Sequence, residues 1–122
     1  MQTKINWFEI PSIDFDRAVH FYETVFASKL KVEQFGGTPM GVFTSEHGGG
    51  IGCVVHSTQV APAANGTLIY FDATSGMDRV LERIEAAGGR IVLKKTPLPE
   101  EMGYIAHFID TEGNRVAIHA LH

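Results

Sequence analysis

Few side chains in this chain are of a type that could do chemistry, and the best of them sit on strands. Glu9 stands inside the apolar run Ile5 to Ile10, INWFEI. A carboxylate there is costly to bury unless it is paired. Glu9 therefore reaches solvent, pairs with an Arg or Lys, contacts a ligand, or acts as a base with a raised pKa. Trp7 shares its face, because side chains alternate along a strand. That indole reads as core or as the flat wall of a ligand cup. His119, on the same face as Ala117, is the best-placed histidine for a ligand contact or acid–base work. Tyr70 and Asp72 share a face with Leu68. Tyr70 reads as half-buried with its hydroxyl at that face, Asp72 as a turn residue. Cys53 reads as a small buried hydrophobe, since no His–Cys spacing suggests an activated thiol. His56 reads as a linker contact, His20 and His47 as exposed, and His107 as facing opposite to Ala106 and Phe108. No Ser-His-Asp elbow and no dinucleotide fingerprint are present. Gly48-Gly49-Gly50 is not a phosphate loop: no Lys-Ser/Thr and no helix follow it.

The elements that must hold these residues come in a repeated order. Ile5 to Ile10 reads as a strand that Pro11 stops, for want of an N–H. Asp14 caps a helix whose stripe is Phe15, Ala18, Val19, Tyr22, Val25 and Phe26. Three strands follow, over 28–35, 39–44 and 51–56. Residues 57–66, STQVAPAANG, read as a linker. Then the order recurs: a strand over 67–73, a helix opened by Ser75 with Asp78 as a capping box and ended by Gly88-Gly89, and strands over 90–95, 104–109 and 115–121. Asp16-Arg17-Ala18-Val19 aligns with Asp78-Arg79-Val80-Leu81, and Trp7, Phe8, Glu9 and Ile10 align with Leu68, Ile69, Tyr70 and Phe71. Such a repeat means fused copies of one supersecondary unit. The expectation is an α+β fold of two βαβββ modules, about 1–57 and 67–122, with curved mixed sheets around a shared cup.

Composition narrows the field. The chain has 122 residues and 44% apolar content, enough for one ordinary globular domain. A net charge of −4 with scattered Lys and Arg gives no footprint for nucleic acid. The single cysteine rules out an internal disulfide and makes a cytoplasmic location the expectation. The N-terminus lacks the apolar core of a signal peptide, and no run approaches the roughly 18 apolar residues of a membrane helix.

Three segments in order carry a resemblance: Asp14-Phe15-Asp16-Arg17-Ala18-Val19 with Phe21-Tyr22, Leu81 to Gly89 (LERIEAAGG), and Phe108 to Asn114 (FIDTEGN). Together they resemble the vicinal oxygen chelate superfamily, which includes glyoxalase I, bleomycin-resistance proteins and extradiol dioxygenases. The resemblance implies the paired βαβββ fold and, usually, a divalent metal held by His or Glu side chains. The positions it points to here are Trp7, Leu68 and Ala117, with a fourth near Cys53 or Val55. An indole N–H only donates, and Leu and Ala offer no lone pair. The resemblance thus implies a member without the usual metal and without a cofactor. Trp7, Leu68 and Ala117 would give the cup its apolar contacts, and Glu9, Tyr70 and His119 its polarity. The expected partners are a small organic molecule and a second copy of the chain, since members commonly dimerise. Three alternatives stand beside this reading: a displaced metal site from Glu9, His119 and Cys53 or His56; a cup plugged by its own side chains; and metal-free acid–base catalysis by Glu9 and His119.

Overall fold

The computed structural model describes residues 1–122. Two four-stranded mixed sheets each carry one helix. In the first, β1 (Glu9–Pro11), β2 (Lys31–Phe35), β3 (Thr38–Thr44) and β4 (Gly50–Val55) lie in the order β1-β4-β3-β2, with α1 (Phe15–Phe26) between β1 and β2 in sequence. In the second, β5 (Tyr70–Asp72), β6 (Arg90–Pro97), β7 (Tyr104–Ile109) and β8 (Arg115–Ala120) lie in the order β5-β8-β7-β6, with α2 (Met77–Ala86) following β5. The outer strands β1 and β5 pair in parallel with β4 and β8; all other pairs are antiparallel. The repeat is therefore real at the level of topology. No helix is long and apolar enough to cross a membrane.

Local signals account for most of the boundaries. Asp14 caps α1, its carboxylate accepting from the Arg17 N–H at 3.1 Å. Ala27 ends the helix in the left-handed region, φ 50°. In the second module the strand read over 67–73 covers only Tyr70–Asp72, which puts Asp72 in a strand and not a turn. Two further readings need correction. The opening strand is shorter than its apolar pattern, covering only Glu9–Pro11 and including the proline. Pro11 is tolerated because β1 is an edge strand, so its missing N–H leaves no gap in the ladder. The second correction concerns α2, whose N-cap is Gly76, with no side-chain cap from Ser75.

The core lies between the modules, on the helix side of both sheets. Eighteen buried residues from α1, α2 and both sheets form one cluster. Phe21, absent from the sequence-derived stripe, is among its most buried members. Its ring packs on Tyr22 and on Phe108 of the other module. Phe8 reaches this core by lying across β4 at Gly52, where a Cβ would come within 2.4 Å of its ring. Each large side chain buried in this way contributes about 1.5–3 kcal/mol.

A polar clasp closes the same boundary. Asp110 accepts from the Tyr22 hydroxyl at 2.6 Å and from Asn114 Nδ2 at 2.9 Å. Asn114 also donates to the Pro11 carbonyl at 2.7 Å. Glu112 sits at the N-terminus of α1 and accepts from the N–H groups of Ile13 and Asp14 and from the Arg17 guanidinium. Burial pushes the Glu112 carboxyl up, but these donors outweigh it and leave the group below the ordinary Glu range. Burial and the Asp110 charge raise the Tyr22 phenol well above its usual value.

Candidate functional site

With both helix-side faces spent on the core, chemistry is left to the opposite face of each sheet. On the first sheet that face carries Glu9, directly opposite Cys53, which in turn is opposite Val42. Trp7 precedes β1 and lies over Gly50, where a Cβ would come within 3.2 Å of Trp7 Cζ3. The indole is 40% exposed. Glu9 is exposed and takes part in none of the four ion pairs. Cys53 is fully buried; burial first, and the nearby Glu9 carboxylate second, push its thiol up to about 12, against a hydrogen bond from Trp7 that lowers it. That thiol stays protonated at neutral pH and is no nucleophile.

On the second sheet the equivalent row is Tyr70, Ala117 and His107. The Tyr70 hydroxyl and His107 Nε2 lie 3.0 Å apart, and Arg115 Nε donates to His107 Nδ1 at 3.2 Å. Burial, then the Arg115 charge, lowers the His107 pKa. Ala117 lies between Tyr70 and His107 on β8 and is fully buried, so their side chains meet above its methyl group. His119 sits opposite Asp72, and its Nε2 is 2.7 Å from the Met102 carbonyl in the β6–β7 loop. His119 thus donates from Nε2 to the backbone and keeps only Nδ1 as an acceptor.

The register also fixes the fourth metal-related position. Glu9 and Tyr70 are equivalent by the repeat, and they face Cys53 and Ala117 respectively. Cys53 is therefore the counterpart of Ala117. The four positions hold an indole, a thiol, an isobutyl group and a methyl group, so only Cys53 carries an atom that could ligate a metal. This set does not fit a divalent ion, which needs lone pairs from deprotonated or carbonyl donors. No group of three or more His, Cys, Asp or Glu within the chain is arranged to hold one.

One chain does not bring all the candidate residues together. Tyr70 and His119 line a cavity of about 440 Å³ with Phe71, Asp72, Leu98 and Ile105. Leu68 and Tyr70 line an apolar one of about 470 Å³ with Ile5, Phe8 and Ile51. Glu9 opens on another side, near Arg115 and Asn114. Glu9 and His119 share no cavity. His107 and Arg115 were missed as site residues. Alternation places both on the open face, but only the strand register sets His107 beside Ala117.

A family model for the Glyoxalase/Bleomycin resistance protein/Dioxygenase superfamily matches residues 4–118. The chain belongs to this superfamily. Solved structures of the superfamily share its fold. A fosfomycin resistance protein, FosX, from Listeria monocytogenes superposes with a TM-score of 0.70 at 16% identity, covering 98% of this chain and 92% of that one. A glyoxalase/bleomycin resistance protein from Albidiferax ferrireducens gives 0.68 at 18% identity, with 93% and 94% covered. A glyoxalase I mutant from Zea mays gives 0.64 at 19% identity; 94% of this chain covers 45% of that one. No curated protein matches the chain.

Proposed function

We propose that this superfamily member binds a small organic molecule without a metal. It does so as a homodimer whose cup joins the first-sheet face of one copy to the second-sheet face of the other. The observation that carries the reading is the roof over Ala117. Where a ligating side chain would project, Tyr70 and His107 hydrogen-bond to each other instead. A FosX mutant among the similar structures is described in complex with Mn(II); of the four positions in this chain, only Cys53 carries an atom that could ligate such an ion. A second copy is invoked because Glu9 lines a different cavity from Tyr70 and His119. A second copy would also cover Ile5, Ile51, Trp7 and Tyr70, which are exposed.

Three measurements test this together. Sedimentation should give a dimer. Metal analysis after incubation with Zn, Ni or Mn and desalting should give no stoichiometric ion, with the melting temperature unchanged by the metals. Trp7, the only tryptophan, should change its emission when an aromatic ligand enters. Stoichiometric metal that also raises the melting temperature sinks the metal-free reading, and a monomer at working concentration sinks the two-copy cup.

A further inference from the structure

We propose that Tyr70 is a fixed hydrogen-bond donor for an oxyanion of the ligand, held in that role by His107 and Arg115. The inference rests on the ligand-cup reading and deepens it by naming the ligand chemistry.

The argument follows protons along three residues. A guanidinium has donors only and does not lose its charge. Arg115 Nε points at His107 Nδ1 from 3.2 Å, so Nδ1 must be the accepting nitrogen. An imidazole that accepts at Nδ1 carries its proton on Nε2. That N–H faces the Tyr70 oxygen at 3.0 Å, so the phenol oxygen accepts there. The phenol's own proton is then left over, and Tyr70 is 47% exposed with its ring lining two cavities. The free O–H is directed away from His107, to whatever occupies the cup. Accepting from His107 makes the phenol a stronger donor. Arg115, which makes no ion pair and shares a cavity with Glu9, adds a positive charge behind His107. Both effects favour an acceptor that bears negative charge. The neighbouring cavity walls are Ile5, Phe8, Ile51, Leu68 and Phe71, together with one carboxylate, Asp72, which accepts from the Thr74 N–H. The ligand class is therefore an oxyanion on a flat apolar body, such as a phenolate or an aromatic enolate. His107 and Arg115 are positioning residues; only Tyr70 touches the ligand.

The test compares two probes of similar shape, para-nitrophenolate and its methyl ether para-nitroanisole, with chelator present and at mildly alkaline pH. Calorimetry and the nitrophenolate absorption band report binding. The wild type should bind the phenolate at least about tenfold more tightly than the ether, the usual scale for a hydrogen bond to a charged group. Tyr70→Phe should remove that preference, so that the phenolate binds no more tightly than the ether. His107→Phe should reduce the preference by about threefold, because the hydroxyl then rotates freely. Equal binding of both probes, or a preference that survives in Tyr70→Phe, overturns the donor assignment and leaves the cup intact. Failure of both probes to bind at millimolar concentration overturns the cup reading, and this inference with it.

Discussion

The two modules carry the same row of positions with opposite contents. In the first, the row is Glu9, Cys53 and Val42; in the second, Tyr70, Ala117 and His107. The first row has a buried thiol at its centre, held protonated, and a carboxylate at the sheet edge with no ion-pair partner. The second row has a methyl group at its centre and a hydrogen bond above it. Strands two apart in a sheet are separated by roughly 10 Å, so Tyr70 and His107 meet only because residue 117 is small. In the first row, Val42 has no polar atom, so no such bridge could form. One architecture thus gives a buried thiol beside an exposed carboxylate on one sheet and a tyrosine–histidine hydrogen bond over a methyl group on the other. A duplicated unit can divide contact and polarity in this way when each copy keeps its own core.

The comparison depends on the clasp that fixes both rows, and breaking the clasp should have the largest effect. Asp110→Ala leaves the Tyr22 hydroxyl and the Asn114 amide without their buried acceptor. The expected cost is about 3–5 kcal/mol in urea unfolding, since each stranded buried donor costs about 1–3 kcal/mol. A change below 1 kcal/mol would mean that the modules are held by their apolar core alone. Next in size is Ala117→Leu, which forces extra atoms under the Tyr70–His107 bond. Overpacking should cost about 1–3 kcal/mol by thermal melting. It should also change the His107 ring signals in NMR; unchanged signals would contradict the bridged row.

Acid sharpens the contrast between clasp and open faces. The Glu112 carboxyl is depressed in the folded protein, so its stabilisation is complete above the unfolded-state value of roughly 4.3. It is lost as pH falls through the lower folded value. Stability measured against pH should show this acid limb, and Glu112→Gln should flatten it while weakening the protein at neutral pH. The smallest effect is expected in the first row. Glu9→Gln should shift stability by less than about 0.5 kcal/mol, because the side chain is exposed. It should lower the Cys53 pKa by removing a nearby negative charge. Alkylation followed against pH reads that change, and a thiol titration that stays in place would remove Glu9 from the account.

Several elements were legible because their signals are local. Asp14 caps a helix in the sequence as it does in the structure, and the apolar periods of both helices survive folding. The motif residues that carried the family resemblance were legible too, though not as what they prove to be. Asp14, Arg17, Tyr22, Asp110, Glu112 and Asn114 build the inter-module clasp rather than the candidate site. The opening strand was overestimated, because alternation alone supplies no ladder partner, and Ile5 to Trp7 stand exposed. Ile5 to Phe8 alternates correctly, yet only Glu9–Pro11 pairs as a strand.

By itself the sequence determined the fold, its duplication, and the side-chain types at the positions where a metal would sit. The first two follow from periodicity and caps, which are short-range properties of the chain, and the metal-related positions from the family resemblance. Only the tertiary structure decided that Cys53 is the counterpart of Ala117, that His107 and Arg115 line up behind Tyr70, and that Glu9 and His119 line different cavities. Such facts depend on strand register and on how the modules pack, and contacts between residues distant in sequence set both.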